Sequence, residues 1–245
     1  VHWYAVDLHI HSALSACAGD DMTPPAMAAA LAGASINIAA LTDHNSSGNS
    51  AAFGCACAAQ GLTALYGMEL ETSEEVHLLC LFGELEQALL WQETVRHRLP
   101  DLASGRGFGR QVLYDCHGHE IGTEPRLLSV ASSLSLDEAI EGVRTRQGIC
   151  IAAHINRPVY GLLGVLGMVP HGIRTAALEM TQRARVAEMR QRPDLGGHTL
   201  VSFSDAHHLE QIQPARTAML MAEPTFSELR LALAGADGRR TVVLD

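Results

Sequence analysis

Short apolar runs recur along the chain at Trp3 to Leu8, Ile38 to Thr42, Ala64 to Glu69, Val76 to Phe82, Ile149 to Ala153, Ala177 to Met180, Leu200 to Ser204 and Thr241 to Leu244. Runs of this length predict strands. Longer stretches rich in Ala, Leu and Glu separate them. These predict helices at Pro24 to Ala34, Ser50 to Gln60, Leu85 to His97, Leu136 to Arg146, Gln182 to Arg190 and Phe226 to Ala234. Thr23-Pro24 reads as an N-cap followed by proline in the first turn, and Ser135 with Glu138 offers both halves of a capping box. Strand alternating with helix predicts an α/β fold on a parallel sheet, open or closed as a barrel. Residues 99–136 break the rhythm. Rich in Gly, Ser and Arg, and carrying Cys116-His117-Gly118-His119, they read as an insertion or small subdomain within one domain spanning 1–245.

Composition narrows the picture. At 245 residues the chain suits either one large α/β barrel or two small domains, and 47% hydrophobic with 18% charged residues is a globular balance. No apolar run reaches the length of a membrane span. The first residues enter an apolar run without a basic stretch and cleavage site, so a cytoplasmic location is the expectation. A formal net charge of −10 argues against extended nucleic acid as a partner. The local basic patch from Gly105 to Arg110 reads as a loop. All 17 basic residues are arginine, and the absence of lysine excludes P-loop phosphate cradles, Schiff-base lysines and carbamylated-lysine metal bridges. Cysteines at 17, 55, 57, 80, 116 and 150 form no Cys-x-x-Cys framework, and Cys80 and Cys150 read as buried free thiols.

The 13 histidines carry the chemistry through where they fall. Asp7-Leu8-His9-Ile10-His11, Thr42-Asp43-His44-Asn45, Glu69-Leu70-Glu71, His154-Ile155-Asn156-Arg157 and Ser204-Asp205-Ala206-His207 all sit at the ends of predicted strands. His77 is the exception, entering from the start of one. In parallel α/β folds the carboxyl ends of strands converge on one site. His9 and His11 stand two apart, which on an extended strand places both imidazoles on one face, as ligands to one metal require. Asp205 and His207 repeat that spacing.

Taken in order, these motifs resemble the polymerase and histidinol phosphatase (PHP) family of metal-dependent phosphoesterases, from Asp7 to about His207. The resemblance implies a distorted seven-stranded (β/α) TIM-like barrel with two or three divalent metal ions (zinc, manganese or iron) on its carboxyl rim. It assigns one metal to His9, His11, Glu69 and Asp205, and a second to Glu69, His77 and His154. A third falls to His44 and His207. The family's remaining ligand positions for that third ion hold Ala16 and Cys17 here. Cys17 as a thiolate would favour zinc; Asp20 or Asp21 could take its place, or the site stays weak. Asp7 and Asp43 precede ligand histidines and are candidates to hold an imidazole's second nitrogen. Cys116, His117 and His119 read as a solvated loop.

The resemblance also implies hydrolysis of phosphate esters by metal-activated hydroxide, with Arg157 gripping the phosphate; Asp205 or a metal-bound water could handle the leaving-group proton. The acidic charge and that arginine suggest a small phosphorylated substrate such as a nucleotide, a nucleoside bisphosphate or histidinol phosphate. Two other readings stand beside this one. A metal-dependent amidohydrolase shares the His-x-His strand end, and a non-catalytic or proofreading module would act on nucleic-acid ends. Retention of the usual residue type at eight of the nine ligand positions favours catalysis.

Overall fold

The structure is a computed structural model that describes residues 1–104, 108–181 and 184–244. In chain order it comprises β1 (His2–Ile10), α1 (Pro24–Gly33), β2 (Ile38–Leu41), α2 (Ser50–Ala59), β3 (Thr63–Glu71), β4 (His77–Phe82), α3 (Leu85–Arg96), β5 (Val112–Tyr114), β6 (Glu120–Thr123), α4 (Leu136–Thr145), β7 (Ile149–Ala152), α5 (Leu162–Leu166), β8 (Ala177–Glu179), α6 (Val186–Met189), β9 (Leu200–Val201), β10 (Thr217–Met221), α7 (Phe226–Ala234) and β11 (Arg240–Val243). The helix expected over Gln182 to Arg190 is reduced to the single turn of α6, and residues 182 and 183 of that expectation lie outside the described residues. Residues 105–107 of the basic patch lie outside them too.

Nine strands form one sheet among the described residues, in the order β11, β10, β1, β2, β3, β4, β7, β8, β9. It is a mixed sheet where a parallel one is expected: β4 runs antiparallel to both β3 and β7, and β10 is antiparallel to β1 and β11. The sheet curls nearly shut. Past β9 the chain reaches β1, where Ile10 bridges Ala206 in parallel and the His11 amide donates to the Ala206 carbonyl at 2.9 Å. Thr217 marks where β10 parts from that seam. Its hydroxyl donates to the Ser202 carbonyl at 2.8 Å and accepts the Ser202 amide at 2.9 Å, standing in for the ladder that ends there. The seven strands β1, β2, β3, β4, β7, β8 and β9 therefore make the barrel wall, and β10 and β11 are additions at its side.

Alternation along the strands sorts the core into layers. Val6, Leu8, Ile38, Leu65, Leu79, Ile151 and Val201 form an inner cluster, which Leu229, Ala232 and Leu233 of α7 also join. Facing outward, Met68, Leu78, Cys80 and Cys150 pack on Trp91 of α3 and Val143 of α4. Ile10, Ala39 and Leu41 pack on α1 and α2 through Met27, Leu31 and Phe53. Cys80 and Cys150 are free buried thiols, opposite one another in the β4–β7 register. The caps follow the sequence in part. Ser135 and Glu138 form the reciprocal capping box, whereas Thr23 occupies the N-cap of α1 without a hydrogen bond from its side chain.

Within 99–136 the chain forms the β5–β6 hairpin, a two-stranded sheet of its own. Two buried asparagines fasten this region to the barrel rim. Asn49 donates to the Val112 carbonyl and accepts from the Tyr114 amide, each at 2.9 Å, while Asn45 donates to the carbonyls of Leu128 and Val130 at 2.7 and 2.8 Å.

Candidate metal centre

Wherever an inward-facing position reaches the open end of the barrel, the apolar side chain gives way to a polar one. On β3 the inward line Leu65, Gly67, Glu69 ends in a carboxylate, and on β8 Ala177 is followed by Glu179. Because β4 is reversed, its first residue, His77, lies at this same end; that is why a strand start joins a set of strand ends. The chain turns sharply at the rim. His154 and Asp205 adopt positive φ values of 26° and 51°, unusual for residues with a Cβ and the kind of backbone strain that surrounding structure must hold in place.

Glu69 is the hub, only 1% exposed. Its Oε1 lies 2.9 Å from His77 Nδ1, 2.9 Å from His154 Nε2 and 3.2 Å from His9 Nε2. Its Oε2 lies 3.1 Å from His44 Nδ1 and 3.4 Å from His11 Nε2. Asp205 Oδ1 is 3.2 Å from His9 Nε2 and 3.4 Å from His11 Nε2. Four overlapping groups have donor atoms close enough to share an ion: His9, His11 and Asp205; His9, Glu69 and His154; His44, Glu69 and His77; His11, His44 and His207. Eight of the nine residues expected as ligands are thus brought together. Cys17 is exposed and enters none of these groups among the described residues, although it lies near enough to His44 to help raise that imidazole's pKa. Asp20 and Asp21 are exposed as well.

The hydrogen-bond network decides what the two nearest imidazoles present. His9 Nδ1 faces Glu179 Oε2 at 2.9 Å, so Nδ1–H donates to the carboxylate. Ser15 Oγ donates to Asp43 Oδ1 at 2.7 Å, which leaves it to accept from His11 Nδ1 at 2.9 Å. In their neutral forms both rings therefore turn Nε2 lone pairs toward one another across 3.2 Å. Two lone pairs at that separation, beside two carboxylates, call for a cation between them. His154 Nδ1 and Asp205 Oδ1 are also buried without a hydrogen-bond partner among the described residues. The donor set, nitrogen and carboxylate oxygen with no amine competitor, fits first-row divalent metals.

The electrostatics express the same demand. Burial opposes charge on His9, yet Glu179, Asp205 and Glu69 raise its pKa well above the ordinary imidazole value. Burial opposes charge on His77 as well, and Glu69 lifts it to about 9. Glu69 is raised by burial but held well below the carboxylate range by His77 and His9. His207 is lowered to about 3 by burial and by the nearby His11 charge.

Glu179 escapes the sequence reading. The available signal was a lone carboxylate closing an apolar strand, but only tertiary contact pairs it with His9. The Asp43 side chain reaches His11 through Ser15 instead of touching an imidazole. Asp7 Oδ1 accepts the backbone amides of His9 at 3.4 Å and Ser204 at 3.1 Å, a strand-end role, and burial pushes its carboxyl up to about 6. Arg157 does reach the centre. Its Nη2 sits 2.6 Å from Asp205 Oδ2, and with His154, Glu179, Thr181, Phe203 and Ser204 these residues line a cavity of about 360 Å³. Three larger clefts, about 850, 590 and 520 Å³, lie on the flanks, one between α3 and α4, one beside α7 and one beside β9 and β11.

A barrel with converging histidines and carboxylates on its carboxyl rim defines the class of metal-dependent hydrolases. The chain belongs to the PHP domain family, whose model it matches over residues 7–155. No curated protein matches its sequence. Among solved structures it is similar to the lesion-specific endonuclease EndoQ of Pyrococcus furiosus, at 19% identity and a TM-score of 0.71, covering 98% of this chain and 58% of that one. A second structure, with the same identity and coverages and a TM-score of 0.70, holds Endonuclease Q with a 27-mer duplex substrate bearing an abasic lesion at the active site. A protein of Bifidobacterium adolescentis assigned as a metal-dependent phosphoesterase matches at 17% identity and a TM-score of 0.56, covering 82% of this chain and 87% of its own. The chain therefore spans little more than half the length of the endonuclease. The expectation of a small phosphorylated partner, with the charge arguing against extended nucleic acid, is corrected by that duplex complex. Net charge sums over the whole surface, while a rim admits a strand through local contacts. No described helix is long and apolar enough to cross a membrane.

Proposed function

We propose that this chain hydrolyses phosphate esters at the rim centre, with divalent metal ions held by His9, His11, Glu69 and Asp205, by Glu69, His77 and His154, and by His44 with His207. The observation that carries the reading is the pair of lone pairs on His9 and His11 aimed at one point beside Glu69 and Asp205. Divalent ions in such a site supply positive charge to the phosphoryl oxygens and lower the pKa of water. Glu69 reaches both halves of the donor set, so it fixes their spacing. Arg157 lies at the mouth of the cavity, where its planar guanidinium suits two phosphate oxygens. Its present partner, Asp205, is a carboxylate, the same shape of ligand that a phosphate offers. In this reading the leaving-group proton is handled by Asp205 or by water held at the centre. Phosphodiesters in nucleic acid fall within this reading alongside nucleotide monoesters.

The test uses purified chain loaded with manganese or zinc, assayed on p-nitrophenyl phosphate and on its bis-ester. Activity should vanish with a chelator and return with metal. Arg157→Ala should lower kcat/KM by about 10²–10³-fold, the scale of one lost electrostatic donor in a transition state, with metal content unchanged. Arg157→Lys should recover only part of that loss. Full activity in Arg157→Ala would place the phosphate elsewhere. Hydrolysis of amides or lactones without any phosphate ester would replace the reading with the amidohydrolase one.

A further inference from the structure

Tyr160 stands beside the metal centre without belonging to it. Its ring stacks on His77, with centroids 4.4 Å apart and planes within 17°. His77 in turn contacts Glu69, so the tyrosine is one ring removed from the hub of the donor set. Although one face is covered by the imidazole, Tyr160 remains 41% exposed. Its phenol finds no hydrogen-bond partner among the described residues, so no polar contact accounts for the ring's placement.

The backbone goes to some cost to hold it there. Tyr160 has φ of 60°, a conformation that bulky side chains rarely adopt. Its carbonyl accepts the His77 amide at 2.9 Å, which ties the strained residue to the first position of β4. A Cβ at the following Gly161 would run into the carbonyl oxygens of Arg157 and His154, so glycine is required for the turn to close this tightly. Asn156 secures the other side, donating to Thr181 Oγ1 and accepting from the Thr181 amide, both at 2.9 Å. One short turn thus carries His154 into the centre, Arg157 to the cavity mouth and Tyr160 onto the rim. Strain that is over-determined beside a reactive centre marks a position where the side chain's placement matters.

We propose that Tyr160 is a specificity-determining residue, a stacking platform for an aromatic ring joined to the phosphate, as a nucleobase is in a nucleotide unit. This rests on the phosphoesterase reading and narrows its substrate class to nucleotides or nucleic-acid ends over aliphatic phosphates. An aromatic face held rigid by a second ring loses little freedom on binding, and every base offers a π-face to it without a matching hydrogen-bond code. Phosphate and ring would then be recognised by one turn of the chain, through Arg157 and Tyr160.

The experiment compares adenosine 5′-monophosphate with ribose 5-phosphate, which share the phosphate and sugar and differ in the base. With metal-loaded chain, Tyr160→Ala should lower the ratio of their kcat/KM values about tenfold, mainly through KM for the nucleotide, and Tyr160→Phe should keep the wild-type ratio. Calorimetry gives a second arm independent of turnover: Tyr160→Ala should weaken binding of the nucleotide about tenfold more than binding of the sugar phosphate. Equal losses on both ligands would show that Tyr160 acts only by supporting His77, and would overturn the proposal, as would a wild type that does not favour the nucleotide. If the wild type turns over neither ester but binds the nucleotide through Tyr160, the stacking platform stands and the phosphoesterase reading falls. Thermal melts of the variants check that each is folded.

Discussion

Glu179 shows how much one buried side chain can organise. It is 1% exposed, holds His9 Nδ1 at 2.9 Å and also accepts the His154 backbone amide at 2.9 Å. The first contact selects the tautomer that frees His9 Nε2 for a cation; the second pins a residue whose φ is 26°. Removing the charge while keeping the shape should therefore act on metal binding more than on folding. Glu179→Gln is expected to weaken metal affinity about 10- to 100-fold, the usual effect of losing a carboxylate behind a ligand histidine. Competition with a metal-sensitive dye measures it, and wild-type affinity in the variant would show that His9 is oriented without this carboxylate.

At the scale of elements, the additions beside the barrel are held by a polar clamp that titrates. Glu228 near the start of α7 accepts the Ala222 amide at 2.7 Å and two guanidinium bonds from Arg239, at 2.9 and 2.8 Å, linking the end of β10, α7 and the approach to β11. The Arg239 hydrogen bonds, and then the Ala222 amide, lower the Glu228 carboxyl from 4.5 to about 2. A carboxyl whose folded pKa is depressed contributes stability that is complete above its unfolded value and is lost as pH falls through the folded one. The window is therefore between about pH 4.5 and about pH 2. Glu228→Gln should show a shallower loss of stability across that window than the wild type, read from urea midpoints at stepped pH. Parallel curves for the two proteins would show that the clamp does not contribute.

For the whole molecule, the question is how the 99–136 region is joined to the barrel. Asn49 is fully buried and meets three partners: its amide donates to Ser12 Oγ and the Val112 carbonyl, and its oxygen accepts the Tyr114 amide, all at 2.9 Å. Ser12 in turn donates to Asp43 Oδ2 at 2.6 Å, so the hairpin and the rim share one network. Asn49→Ala leaves buried backbone groups of β5 unpaired and should cost about 1–3 kcal/mol. The loss should appear as a lower urea midpoint together with faster amide exchange over 112–123. A lower midpoint with unchanged exchange in the hairpin would show that the network stabilises the rim alone.

Much of the site was legible because the chemistry sits at strand ends, and strand ends are marked by a switch from apolar to polar residues. His9, His11, His44, Glu69, His154, Asp205 and His207 each follow such a switch. The seven barrel strands and the capping box at Ser135 were readable for the same local reasons. The unread parts depend on partners distant in sequence. In β10, Thr217–Met221, the residues Ala218, Met219, Leu220 and Met221 all favour helix by local propensity, so nothing local marks the run as a strand. The reversal of β4 is decided by which neighbours it pairs with, although His77 at its start hinted at it. Glu179 and His9 are 170 residues apart, and no spacing rule spans that distance. Tyr160 is one exposed aromatic among several until the turn at Gly161 lays it on His77. The sequence by itself determined which residues bring donor atoms to the rim, because side-chain type and strand periodicity are local properties. Only the tertiary structure decided the direction in which each lone pair points and which ring lies beside them, because those follow from contacts made when the barrel closes.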